Sequence, residues 1–296
     1  GLNRFDAAKN KFTRYKHNNN ANSLSHNLVS CIYEDGRGNL WVSTLGGGIN
    51  LFKPAENNFV HYRHHDDKAR SLNNDQVNYL FEDSQGNFWV ATESGFCLFS
   101  REAGSFKPYS LGNFETISNN AIKIIKEDRQ GNLLLGTGSS GLIIYNDKEK
   151  TYKQFRHFEK EPASLASDLV RSLLVDKKGN IWIGSVNGGL DLFHASAGTF
   201  YHYQNEPDNI YSMSQRTASA LFEDNQGNLW VGTHRGGLNL YSPNTEKFTL
   251  YRQEPDANSL SYNDVKAFCE DRRGNIWIGT DGGGLNLFDP KKYAHS

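Results

Sequence analysis

Residues 223–233 read EDNQGNLWVGT, and five further stretches repeat the phrase: EDGRGNLWVST at 34–44, EDSQGNFWVAT at 82–92, EDRQGNLLLGT at 127–137, VDKKGNIWIGS at 175–185 and EDRRGNIWIGT at 270–280. Its Asp recurs at 35, 83, 128, 176, 224 and 271, in steps of 48, 45, 48, 48 and 47 residues. A period near ~45 residues marks an array of small β units. Function must then be read from where the copies differ.

Working outward from 223–233, the surrounding unit holds four short segments: Ala218 to Phe222, Leu229 to Gly232, Leu238 to Tyr241 and Phe248 to Tyr251. Gly, Asn or Pro separates them, and each has a strand's length rather than a helix's. In the first connector, Asp224-Asn225-Gln226-Gly227-Asn228, Asp suits hydrogen bonding to the turn backbone and Gly the left-handed position of a hairpin loop. Asp and Gly therefore recur in all six copies without any ligand. The Trp column (41, 89, 182, 230 and 277, with Leu134 in the third copy) accounts for every Trp of the chain, and a flat ring there fills a seam between units. The Thr or Ser ending each phrase can bond local backbone.

Four antiparallel strands repeated around an axis make a β-propeller. The fold class is therefore all-β, a β-propeller of four-stranded antiparallel blades, read as one domain over 1–296. Residues 1–16 supply a half blade, and repeats follow at 17–64, 65–111, 112–157, 158–205, 206–253 and 254–296. This favours the seven-bladed type with one blade incomplete; the alternative is six blades, the N-terminal strands completing the last. Gly1 to Asp6 echoes Gly284 to Asp289, so the chain is expected to be cut from something longer.

The net charge of −1 and pI near 6.9 argue against a nucleic-acid partner. No run approaches the roughly 18 apolar residues of a membrane helix. Cys31, Cys97 and Cys269 are too scattered for a disulfide framework or a metal site. Gly136 to Gly141 matches G-x-G-x-x-G but leads into strand-like sequence, where a dinucleotide fold needs a helix. His64-His65-Asp66-Asp67 are consecutive loop residues with no second ligand cluster. Neither a nucleophile elbow nor a singular carboxylate pair occurs, so no catalytic residue, metal or cofactor is assigned.

With strands a to d in each blade, the a–b turn hardly varies, whereas the d–a connector is long and polar and the b–c turn opens on variable residues before Gly-Gly. Loops on a rigid scaffold are where binding concentrates, so the b–c/d–a face is the candidate recognition face. The connector ends in a Ser-Leu-Ser-x-Asn-x-Val phrase, as at 23–29 and 259–265, with echoes from Ser71, Thr116, Ser164 and Ser212. Its fifth column reads Asn27, Asp75, Asn120, Asp168, Arg216 and Asn263, so Arg216 breaks a series of short polar residues. The same copy places His234 and Arg235 in its b–c turn; the next carries Tyr262, and Lys123, Arg171 and Lys266 lie just inside strand a. An Arg fork can hold a carboxylate or sulfate and a Tyr can stack on a ring, so Arg216, His234, Arg235, Tyr262, Lys266 and Arg171 form a candidate site for an acidic sugar. The plain alternative is a set of solvated loop charges.

The long motif, followed by F-x-x-Y and S-L-S-x-N-x-V, resembles the two-component regulator propeller repeat, and the resemblance covers essentially the whole chain. Departures are few: Leu134 for Trp, Val175 for Glu, and one Gly lost at Glu93 to Phe96. That resemblance implies the periplasmic portion of an inner-membrane hybrid sensor kinase: two propellers and a β-sandwich outside, a kinase and transcription regulator beyond, and a homodimer as the signalling form. It implies a non-enzymatic fragment whose ligand is an oligosaccharide from polysaccharide breakdown. Two rivals stand beside it: an architectural propeller whose ligand sits on a neighbouring domain or dimer seam, and a propeller enzyme of the lactonase or lyase type.

Overall fold

The structure, a computed structural model, describes residues 1–109, 121–242, 247–256 and 258–289. The echo of the Ser-Leu-Ser phrase from Thr116, with Asn119 and Asn120, lies outside them. Contacts divide the chain into two compact units, residues 1–127 and 128–296.

In the first unit, β1 (Leu2–Asp6) and β2 (Lys11–Tyr15) form a two-stranded sheet. Two sheets of four follow: β3 (Val29–Glu34), β4 (Leu40–Thr44), β5 (Gly48–Lys53) and β6 (Asn58–Tyr62), then β7 (Val77–Glu82), β8 (Phe88–Thr92), β9 (Gly95–Ser100) and β10 (Ser105–Tyr109). The unit ends with β11 (Ile122–Glu127). In strand order the third sheet runs on through β12 (Leu133–Thr137), β13 (Leu142–Asn146) and β14 (Thr151–Phe155). The second unit continues with β15 (Val170–Val175), β16 (Ile181–Ser185), β17 (Gly189–His194) and β18 (Thr199–Tyr203), and with β19 (Ala218–Glu223), β20 (Leu229–Thr233), β21 (Leu238–Ser242) and β22 (Lys247–Tyr251). The three-stranded sheet β23 (Val265–Glu270), β24 (Ile276–Thr280) and β25 (Gly284–Phe288) follows. Every sheet is an antiparallel meander in chain order, the blade expected from the sequence.

The expectation of a seven-bladed type is overturned. The described strands make six blades: five sheets of four strands and one of three, each opening on one Asp-x-x-Gly-Asn hairpin. That hairpin founds a blade and therefore counts blades. β1 and β2 lack it, and Leu2 and Tyr15 instead pack with Leu24, Val42, Phe52 and Phe59 as an adjunct to the following blade.

The hairpin shows why the phrase recurs. Asp224 Oδ1 accepts the N–H groups of Gln226 and Asn228 at 3.0 and 2.9 Å, while Oδ2 accepts Asn228 Nδ2 at 2.8 Å and Trp230 Nε1 at 2.9 Å. Gly227 completes the turn at φ +84°. The same Trp-to-Asp bond joins Trp41 to Asp35, Trp89 to Asp83, Trp182 to Asp176 and Trp277 to Asp271. An indole so anchored reaches the next blade: Trp41 lies 5.2 Å from the Phe88 ring and Trp230 5.1 Å from Phe288. Leu134 keeps the packing in the third copy, fully buried, without the bond.

The Glu beside the Asp links copies. Glu82 Oε2 accepts the N–H of Gly36 at 2.6 Å, Glu127 that of Ser84 at 2.7 Å, Glu223 that of Lys177 at 2.7 Å and Glu270 that of Asn225 at 2.9 Å. Each turn is thus closed by the carboxylate of the copy that follows it. Val175 breaks the series, and there Arg129 bonds the Lys177 carbonyl through its own guanidinium.

Candidate functional site

At the other end of the hairpins, the b–c turn is fixed by backbone. Thr233 Oγ1 donates to Gly237 O at 2.8 Å, as Thr44, Thr137 and Thr280 do to Gly48, Gly141 and Gly284. A Cβ added to Gly236 would stand 2.7 Å from both Gln215 Cβ and Thr233 Oγ1, so the turn lies flush on the Ser-Leu-Ser phrase. The N–H of His234 donates to Thr217 O (3.1 Å) and that of Gly237 to Asn263 O of the next copy (2.8 Å). Side chains here project from a frame already set.

Arg216 is exposed. Its carbonyl accepts the N–H of Gly189 at 2.7 Å, and its guanidinium has no partner among the described residues. Thr217, the next residue, holds the backbone of His234, so Arg216 and His234 flank one hydrogen bond. His234 Nδ1 is 3.1 Å from Asp264 Oδ2, and Lys266 Nζ is 2.9 Å from Asp264 Oδ1. Tyr262, 41% exposed, lays its ring along the turn of the following copy, with Cε1 3.4 Å from where a Gly282 Cβ would stand. Arg171 is exposed and meets none of the other five through any hydrogen bond or ion pair among the described residues.

Arg171 and Lys266 share a local cause. Strand a carries a register shift of one residue in β3, β7, β15, β19 and β23, and the extra residue is Ser30, Asn78, Arg171, Ser219 or Lys266. A bulge re-aims the side chain it carries. Two of the neutral members turn to the neighbouring blade: Ser30 Oγ bonds Val77 O at 2.6 Å and Asn78 Nδ2 bonds Ile122 O at 2.9 Å. Of the cationic ones, Lys266 pairs with Asp264, and Arg171 is exposed.

Arg235 is held at φ +60°. The same turn position carries Gly46 at +104°, Asn187 at +59° and Gly282 at +114°, residue types that tolerate left-handed backbone. A long side chain there costs roughly 1–3 kcal/mol, and strain of this kind gathers at binding sites. Arg235 is exposed, and no hydrogen bond or ion pair engages its guanidinium among the described residues.

The sequence reading missed Asp264. Its column, one before the Val of the phrase, reads Leu28, Gln76, Ala121, Leu169, Thr217 and Asp264, and the single acid was a visible signal. Asp264 is 5% exposed and bracketed by His234 and Lys266, so two of the six candidates share one buried carboxylate. Arg216 and Arg235 keep an uncompensated positive charge. Chemically, a guanidinium fork can pair with an anion and a tyrosine ring can stack on a flat body, and these are the groups that Arg216, Arg235 and Tyr262 expose.

Several features singled out in the sequence have structural uses. Gly136 to Gly141 runs into strand β13, not a helix. His64 Nδ1 faces Leu72 O at 2.6 Å and Nε2 faces Asp66 Oδ1 at 2.9 Å, pinning its connector. Trp41, Trp89, Trp182 and Trp230 are buried.

A family model, the two component regulator propeller, matches residues 23–46, 71–94, 164–187, 210–235 and 259–282. These five segments are two-component regulator propeller repeats. Each matched segment runs from the Ser-Leu-Ser phrase through the Asp turn to the b–c turn, and the copy in which Leu134 stands for Trp is not among them. Among solved structures, the extracellular domain of a putative hybrid two-component system from B. thetaiotaomicron is 26% identical, with a TM-score of 0.83 over 97% of this chain. The chain spans 37% of that protein's length. PorZ, a surface component of the type-IX secretion system of Porphyromonas gingivalis, is 19% identical with a TM-score of 0.68, over 88% of this chain and 38% of its own. An inactive variant of virginiamycin B lyase from Staphylococcus aureus, solved with quinupristin, is 12% identical with a TM-score of 0.62, over 88% and 83%. The last two likenesses show the fold alone. No protein of curated function matches the sequence.

Proposed function

We propose that this chain is a ligand-sensing propeller from the extracellular or periplasmic region of a hybrid two-component system. The observation that carries the reading is the likeness to the B. thetaiotaomicron extracellular domain over 97% of the chain. In this reading the chain performs no chemistry. Its ligand is an oligosaccharide released from a polysaccharide, and one bearing carboxylate or sulfate groups fits the exposed guanidinium groups of Arg216 and Arg235. His234 and Lys266, steadied by Asp264, flank that charge, Tyr262 supplies a stacking face, and Arg171 extends the positive field. The rest of the signalling apparatus in this reading, namely a second propeller, a β-sandwich, a membrane anchor, a kinase and a dimer partner, is proposed from the family's plan. Occupancy would be passed to the kinase by changed dimer geometry.

Calorimetric titration with uronate-bearing, sulfated and neutral oligosaccharides tests the reading. Binding of the charged sugars without turnover, weakened about tenfold or more by Arg216→Ala or Arg235→Ala, is expected. Equal affinity in both variants removes the assigned site. Product formation returns the lyase-type rival.

A further inference from the structure

The first unit holds a second candidate, on different elements. A cavity of about 520 Å³ opens where the connector after β6 passes β10; Tyr62, Arg63, His65, Lys68, Arg70 and Phe106 are among its lining residues. The second unit repeats the same groove between the connector after β14 and β18, lined at the matching positions by Phe155, Arg156, Phe158, Glu161, Ala163 and Phe200. The backbone is alike in both: Phe106 N–H donates to Arg70 O at 2.8 Å, and Phe200 N–H to Ala163 O at 2.9 Å. The charge is not alike. Arg156 is neutralised by Asp168 at 2.7 Å and Glu161 lies on the wall. In the first unit, Arg63 donates to a carbonyl, Ser25 O at 3.0 Å, and Lys68 and Arg70 have no side-chain partner among the described residues. No carboxylate lines this cavity. Of the connector's acids, Asp66 is engaged by His64 at 2.9 Å, Asp67 is exposed, and Asp75, which matches Asp168, accepts the His64 N–H at 2.7 Å and forms no ion pair with Arg63 among the described residues.

Resting on the sensing role proposed above for its ligand class, we infer that this groove is a second binding site, on residues other than Arg216 and Arg235, for a sugar unit carrying a sulfate or carboxylate. Lys68 and Arg70 hold the anion, Arg63 sets the positive background, and the aromatic edges of Tyr62 and Phe106 meet the ring body. The volume falls within the range of small-ligand sites.

The matching groove of the second unit supplies the control. Lys68→Glu with Arg70→Ala installs side chains that the protein already carries at the equivalent positions and leaves the Phe106 bond intact. A sulfated disaccharide, its unsulfated counterpart and inorganic sulfate are titrated into the wild type, this double variant, the Arg216→Ala/Arg235→Ala variant and Lys68→Arg, with each melting temperature checked. The inference expects a binding event for the sulfated disaccharide that the groove variant weakens about tenfold or more while Lys68→Arg and the Arg216/Arg235 variant retain it. It is overturned if the groove variant binds like the wild type, if no sulfated sugar binds the wild type, or if inorganic sulfate alone binds as tightly as the sugar.

Discussion

Asp224 and Arg235 stand eleven residues apart, at opposite ends of one hairpin, and they spend their side chains in opposite ways. Asp224 is buried, and its two oxygens are fully occupied by the turn and by Trp230. Arg235 is exposed on strained backbone with its guanidinium unengaged among the described residues. Recurrence along this chain therefore reports consumption by the scaffold, and departure from the pattern reports availability. A residue repeated six times has a partner supplied six times.

The comparison is tested most severely at the scaffold end. Trp230 is 1% exposed and joins two blades, so Trp230→Ala should cost about 3–5 kcal/mol in urea unfolding. A loss below about 1 kcal/mol would show that the indole is not consumed by the seam.

Acid is the next lever. Burial raises the Asp35 carboxyl, but hydrogen bonds from Trp41, Asn39 and Arg37 outweigh it and hold the group at about 2. The bond from Asn275 leads those that hold Asp271 at about 2, and Asp176 is lowered as well. A carboxyl depressed in the folded state stabilises above its unfolded value near ~4 and loses that contribution as pH falls through its folded value. Melting temperatures should hold steady from neutral pH to about 4 and then fall towards 2, Asp35 alone contributing on the order of 2 kcal/mol. Asp35→Asn should flatten part of that fall. A decline already complete above pH 4 would place the acid-sensitive groups elsewhere.

The smallest stability effect separates the two ends best. Arg235→Gly removes the left-handed strain and should stabilise the fold by about 1 kcal/mol while weakening binding of a charged sugar. A variant that is more stable and binds equally well would make Arg235 an ordinary loop residue.

How far the sequence could be read follows the same division. The Asp, Gly and Trp columns were legible because their partners lie within a few residues and recur with them. The role of Glu82, Glu127, Glu223 and Glu270 was not, since each meets a turn one copy earlier, and a repeating array hides contacts between copies inside its own periodicity. The blade number went astray for a related reason: β1 and β2 look like half a blade by strand count, whereas the Asp hairpin does the founding. Arg216, His234, Arg235 and Tyr262 were visible as broken columns. The strain under Arg235 was not, because backbone angle is invisible in a residue name. Asp264 stood in view as the one acid of its column and was passed over beside the basic residues. The cationic groove of the first unit joins a connector to a strand of the next blade, and side chains distant along the chain gave no sign of a shared wall.

The carboxylate that each copy lends to the turn before it gives the array a polarity. Every such link runs the same way, from a carboxylate back to the turn one copy earlier in the chain. Val175 is the one place among the described residues where that relay lapses, and the chain crosses it with an arginine taken from the earlier turn.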